Sequence, residues 1–263
     1  MDEKVQLMTT AELITAAIDI GELLQESGAE IYRVEESMQR LCFAYGARDA
    51  HVYAVPTNII ITAAREGEVP ITRSRRIHAR GTNLDRLDAL NALCRDLCRE
   101  PQSCAEVRRR LDGIRRRPLF KKWALRAAFS GIGGFFTMLY GGTLPAAIWA
   151  AVVCFFLRWV LDMMDRLQVS TLFCNIVGGA IIGAAALIGQ AAHFYGSYDK
   201  MIIGSIMTLV PGVMITNSIR DLIAGDSISG MTRFTEALLV AIGIAIGVAI
   251  PLGLYHGFGG GWL

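Results

Sequence analysis

The sequence predicts a soluble α+β domain followed by an α-helical transmembrane bundle of about five helices, with the boundary near residue 120. Three observations predict it. The first is the partition of charge. The 263 residues carry 26 Lys/Arg and 24 Asp/Glu, and residues 1–122 hold 20 of the basic and 18 of the acidic side chains, leaving six of each for 123–263. The second is the length of the uncharged stretches in the later half, 127–157 being free of any charged residue. The third is the order of periodicities in the earlier half, helix-helix-strands-helix-helix. The balance of charge marks two environments, water and lipid.

Within 1–120 each element has a local reason. Residues 9–25 read as a helix capped by Thr10, with Leu13, Ile14, Ala17, Ile20 and Leu24 at helical spacing. Ser27-Gly28 breaks it. A second amphipathic helix places Ile31, Val34, Met38, Leu41, Cys42 and Tyr45 on one face and ends at Gly46. Strand-like runs follow at 51–56, 58–64 and 70–76. Ile59-Ile60-Ile61-Thr62 is β-branched throughout, which predicts a buried strand, and Gly67 offers a turn. Residues 84–99 return to helix with Leu84, Leu87, Leu90 and Leu97 inward, and a short helix carries the basic cluster after it.

In 121–263 the expected spans are 123–141, 144–161, 170–191, 200–219 and 235–256, each near the ~20 residues that cross a ~30 Å hydrocarbon core. Pro145 and Gly141-Gly142 divide the first long stretch into a hairpin. Gly179–Gly183 and Gly243–Gly247 are GxxxG pairs, which let helix backbones approach closely. The opening residues are charged and lead into no apolar stretch, so the N-terminal domain is expected in the cytosol. The inside loops then carry Arg158, Arg166, Arg220 and Arg233, the outside loops only Lys200, and the C-terminal residues 259–263 fall outside.

The cluster Arg108, Arg109, Arg110, Arg115, Arg116, Arg117, Lys121 and Lys122 has the composition of a nucleic-acid patch. Directly before a hydrophobic segment it reads better as a cytoplasmic flank drawn to anionic lipid, so no nucleic-acid partner is expected. Cys94 and Cys98 lie one helical turn apart, but no paired His or second Cys pair completes a zinc set, and buried thiols are the simpler reading; no metal or cofactor is expected. No nucleophile–base pair, phosphate loop or HExxH helix is present, which argues against an enzyme.

The informative segment is 209–236. Pro211 removes a backbone donor inside a spanning helix and Gly212 loosens it further; broken helices of this kind mark substrate paths in transporters. Thr216 follows, and Asn217, Arg220 and Asp221 at i, i+3 and i+4 put an amide, a guanidinium and a carboxylate on one face. That face suits a small zwitterion or carboxylate, with Arg220 taking the carboxylate at two points. An ordinary cytoplasmic helix end, with Asp226 and Ser227 capping the next helix, fits the same residues. Glu236 is either a first-turn acid favoured by the helix dipole or a proton-coupling carboxylate.

The run Leu209-Val210-Pro211-Gly212, Thr216-Asn217, Arg220-Asp221, Gly225-Asp226, Gly230, Arg233, Glu236-Ala237 resembles the signature of the threonine/serine exporter (ThrE) family. Gly28-Ala29-Glu30-Ile31-Tyr32-Arg33-Val34-Glu35, Tyr45-Gly46, Val55-Pro56-Thr57 and Ile60-Ile61-Thr62 are similar to its N-terminal portion. The resemblance implies secondary efflux of small polar metabolites across the bacterial inner membrane, of threonine and serine or of dicarboxylates such as succinate. It also implies the YjjP-like larger subunit of a split form, which works with a small YjjB-like membrane subunit and could assemble further as a homo-oligomer of the pair. Arg33 and Glu35 are expected to couple the N-terminal domain to the region of Asp221 and Arg233. The alternative is a membrane-anchored sensory or regulatory protein whose N-terminal domain binds a metabolite.

Overall fold

The computed structural model describes residues 8–78, 81–117, 120–194 and 198–257. Ten helices and three strands run in the order α1 Thr10–Glu26, α2 Ile31–Ala44, β1 Asp49–Val55, β2 Asn58–Ala64, β3 Ile71–Arg76, α3 Leu84–Arg99, α4 Cys104–Arg115, α5 Lys122–Leu139, α6 Leu144–Arg166, α7 Thr171–Ala191, α8 Asp199–Ile206, α9 Gly212–Ala224 and α10 Ser227–Gly257. They form two compact units. The first gathers the chain up to Pro118 with Val213–Phe234; the second holds Leu119–Gly212 and the chain from Thr235 onward. The expected C-terminal position of 259–263 and the opening residues 1–7 lie outside the described residues.

In the first unit α1 is the central element, packed against α2, α3, α4, β2 and β3. Its cap is Thr9 rather than Thr10. Thr9 Oγ1 accepts from Glu12 N and Glu12 Oε2 accepts from Thr9 N at 2.8 Å, a reciprocal capping box. Leu13, Ile14, Ala17, Ile20 and Leu24 are buried as their spacing predicts, together with Ile18 and Leu23, because α1 is covered on more than one side. The three strands make an antiparallel sheet in the order β1-β2-β3, with Val55 opposite Asn58 across a two-residue turn. Ile59 and Ile61 are buried and Ile60 is 37% exposed. β2 is thus one-sided rather than buried on both faces, as antiparallel strands with one wet face are. Leu84, expected inward, is 64% exposed at the start of α3.

Part of the basic cluster is consumed within this unit. Arg110 pairs with Asp96 at 2.7 Å, Arg109 with Glu106 at 2.8 Å, Arg117 with Asp85 at 3.7 Å and Arg115 with Glu22 at 3.9 Å.

The second unit buries Leu157, Leu161, Ile182, Met201 and Ile202 together with the small side chains of Ala146, Ala150 and Ala186, while Phe135, Phe156, Phe173, Ile188, Ile246 and Leu254 are exposed. α6, α7 and α10, at 23, 21 and 31 residues, are each long and apolar enough to cross a membrane. The two GxxxG pairs meet each other: a Cβ on Gly179 would stand 2.5 Å from the Ile244 carbonyl oxygen, and one on Gly247 would overlap that of Ile176, so α7 and α10 approach at backbone contact. α8 packs against α5, α6 and α7 and ends at Ile206. The chain is then non-helical until α9 begins at Gly212, with Pro211 as the last residue before it.

Candidate functional site

The polar residues of α9 and early α10 gather on the corner between α1 and α2, all within the first unit. That corner is fixed by its own sequence. Gly28 has φ +91°, Gly28 N donates to Gln25 O and Ala29 N to Leu24 O, a Schellman ending that needs a residue free to adopt the left-handed region. A Cβ there would also stand 2.9 Å from the Gly81 carbonyl oxygen. The ending turns the carbonyls of Gly28 and Ala29 away from α1. α2 then starts at Ile31 with Glu30 in the N-cap place, and Glu30 makes no side-chain cap.

Four side chains serve these four consecutive residues. Asn217 Nδ2 donates to Gly28 O at 3.0 Å. Arg233 Nη2 donates to Ala29 O at 2.8 Å. Arg220 Nη1 donates to Glu30 Oε1 at 2.7 Å. Asp221 Oδ1 accepts from Ile31 N at 3.2 Å. Asp221 thereby caps α2 from a position 190 residues away, supplying the anion that a helix N-terminus favours and that the local sequence withholds.

Asp221 is fully buried, and its Oδ2 stands 3.4 Å from Arg233 Nε without a hydrogen bond. Burial pushes its carboxyl above the usual aspartate range, against the pull of Arg233 and the Ile31 N–H. Glu30 goes the other way. Burial raises it, but its own backbone N–H, the Arg220 hydrogen bond and the charges of Arg33 and Arg220 outweigh that and leave it lowered. The α9–α10 corner closes in the same manner as the α1–α2 corner, with Gly225 at φ +96° and Asp226 N donating to Asp221 O.

The expected residues divide as follows. Asn217, Arg220 and Asp221 share one face, as their spacing requires, and that face meets the 28–31 corner. Arg33 Nε stands 3.6 Å from Glu30 Oε2, and Glu35 Oε1 accepts from Ala54 N at 2.7 Å. Neither reaches Asp221 or Arg233 directly. Asp226 is half-buried and raised by burial; its charge adds to the rise of Glu35, whose main cause is burial. Thr216 is on the exposed side of α9. Pro211 and Gly212 lie in the second unit at the break before α9, and Glu236 lies in the part of α10 that belongs to that unit. One partner was not singled out from sequence, Glu30, although it stands in a stretch quoted for the family resemblance; Arg233, expected to meet Arg33 and Glu35, is instead on Ala29 O and beside Asp221. A Glu in an N-cap place, where Ser, Thr, Asp or Asn caps well, was the available signal that the start of α2 is capped from elsewhere.

Residues 15–255 match the family model ThrE, described as "Putative threonine/serine exporter". The chain belongs to the ThrE family. It is 28% identical over 250 residues to a "Probable threonine/serine exporter" of Mycobacterium tuberculosis, covering 92% of this chain and 46% of that protein. It is 24% identical over 253 residues to a "Threonine/serine exporter" of Corynebacterium glutamicum, covering 93% and 51%. It is 23% identical over 242 residues to the "Probable succinate transporter subunit YjjP" of Escherichia coli, covering 90% and 93%. The chain therefore spans about half the length of the two exporters. No solved structure matches it. The ThrE family and these relatives are transporters rather than enzymes, and the apolar helices agree with a bacterial membrane protein.

Proposed function

We propose that this ThrE chain is a subunit of an inner-membrane exporter of small carboxylate-bearing metabolites. In this reading the α9–α10 corner is the latch that couples its soluble domain to the transport path. The observation that carries the reading is the Arg220–Glu30 pair. Arg220 is the cation expected to meet a substrate carboxylate, and it is engaged by a carboxylate of the protein itself, at 2.7 Å. Its side chain is 55% exposed, and a guanidinium has further donors to offer. Glu30 then holds the place that a substrate carboxylate takes during export, and the substrate enters by displacing it.

The membrane topology belongs to the same proposal. The bundle has five crossings, at 123–141, 144–161, 170–191, 200–219 and 235–256, with the first domain cytosolic and the C-terminus outside. The fourth crossing is discontinuous. Pro211 and Gly212 stand at the break of that crossing, and Thr216, Asp226 and Glu236 are the further residues assigned to the path in this reading. The names of the relatives leave threonine, serine and succinate as the substrates to try, and the match across 93% of a protein named as a subunit supports a small YjjB-like membrane partner.

The test is efflux of radiolabelled threonine, serine and succinate from proteoliposomes carrying the chain with that partner. Arg220→Ala and Asn217→Ala are expected to raise KM for the exported substrate at least tenfold. Unchanged kinetics in both variants, with normal folding and insertion, would remove Arg220 and Asn217 from the path.

A further inference from the structure

The first unit holds a groove of about 710 Å³ between α2 and α3, whose lining residue Arg33 also stands beside Glu30 of the 28–31 corner. Its composition is unusual for two packed helices. One wall presents Arg33, Glu36, Arg40 and Phe43, which follow one another at i, i+3, i+7 and i+10 on α2; the other presents Arg95 and Arg99, at i and i+4 on α3. Four guanidinium groups thus face one carboxylate.

Exposed arginines on a helix are ordinarily matched by acids a turn away or by solvent alone. Here Arg40 uses Glu36, and Arg33 shares Glu30 with Arg220. Arg95 and Arg99 make no ion pair among the described residues, although they stand one turn apart, an arrangement that costs a helix a few tenths of a kcal/mol. Phe43, half exposed, adds an apolar surface to the groove. The volume lies within the ~300–1,000 Å³ of small-molecule sites.

We propose that this groove is a binding site for a small dianionic metabolite, with Arg95 and Arg99 on one wall and Arg33 and Arg40 on the other sharing its two negative charges. The chemistry shared by candidate ligands is two negative charges on oxygens that guanidinium groups can grip at two points, as in a dicarboxylate or a phosphate group. The site stands independently of the transport reading, because binding is measured without flux.

The experiment uses the full chain in nanodiscs of phosphatidylcholine, titrated by calorimetry with succinate and separately with inorganic phosphate. At least one of the two is expected to bind saturably and one to one, and its affinity is expected to fall tenfold or more in Arg95→Gln/Arg99→Gln. Both side chains are exposed and make no ion pair among the described residues, so circular dichroism of that variant should match the parent. Binding of succinate alone would make the ligand class a dicarboxylate, and binding of phosphate alone a phosphate group. The proposal is overturned if neither anion binds, if the double variant weakens binding less than threefold, or if Arg76→Gln, an exposed arginine outside the groove, weakens it equally and so shows a diffuse charge effect.

Discussion

Asp221 carries the largest single consequence at the scale of a residue. It caps α2 and pairs with Arg233, whose side chain is 13% exposed. Asp221→Ala leaves the Ile31 N–H at the start of α2 without its acceptor and removes the carboxylate beside Arg233, which keeps its hydrogen bond to Ala29 O; the cost is about 1–3 kcal/mol, whereas Asp221→Asn keeps an acceptor for Ile31 N and should cost less. Denaturant unfolding of the purified chain checks the order. The pH dependence has a definite sign. The folded carboxyl sits above the ordinary aspartate value, so the folded state retains a proton that the unfolded chain has released, and stability from Asp221 falls as pH rises from about 4 through the raised value. Glu30 has the opposite sign: its contribution is full above about 4.5 and is lost as pH falls through its lowered value. Removing that opposing slope at Asp221, by Asp221→Asn, should make acid unfolding steeper. Gly28→Ala, at φ +91° and against the Gly81 carbonyl, should cost about 1–2 kcal/mol or more in the same assay. Asn217, Arg220 and Asp221 were legible in the sequence because i, i+3, i+4 spacing is local. Their partners were not, because Gly28 and Glu30 lie about 190 residues away and offer mostly backbone atoms, which leave no trace in composition.

At the scale of elements the sequence spoke most clearly where a period was long. α1 and α2 follow their apolar spacing, and the interrupted helix at Pro211 is present as a gap between α8 and α9. It spoke less clearly where a choice was a matter of one residue or one face. Thr9 caps α1 instead of its neighbour because only Thr9 places Glu12 three residues on, and Ile60 looks as buried in sequence as Ile59 and Ile61 although the pleat turns it outward. The GxxxG pairs were readable as packing devices; that they pack against each other needed the structure. Gly179→Val should separate α7 from α10, since its first added carbon already meets the Ile244 carbonyl at 2.5 Å. The expected result is a detergent-solubilised protein with markedly faster proteolysis in this region. Gly113→Ala, on α4 in open space, should leave that proteolysis unchanged and stabilise α4 by about 0.5–1 kcal/mol.

At the scale of the whole molecule, the charge partition divides the sequence near residue 120, and the second unit leaves large apolar side chains such as Phe135, Phe156 and Phe173 exposed. Composition could not show that 213–234 belongs with the first unit. By hydropathy this stretch is the end of one span and a loop; by contact its Asn, Arg and Asp side chains complete a corner of the first unit. The chain leaves the apolar unit after the α8 break, serves the 28–31 corner and returns along α10. If that excursion is the latch of the transport cycle, the Arg220–Glu30 charge pair must matter through its mutual interaction. The direct measurement is radiolabelled efflux from proteoliposomes for Glu30→Gln beside Arg220→Gln. The account predicts that removing the competing carboxylate lowers KM for the exported substrate, whereas removing the guanidinium raises it at least tenfold. A KM raised by both changes alike, in protein that folds and inserts normally, would contradict it.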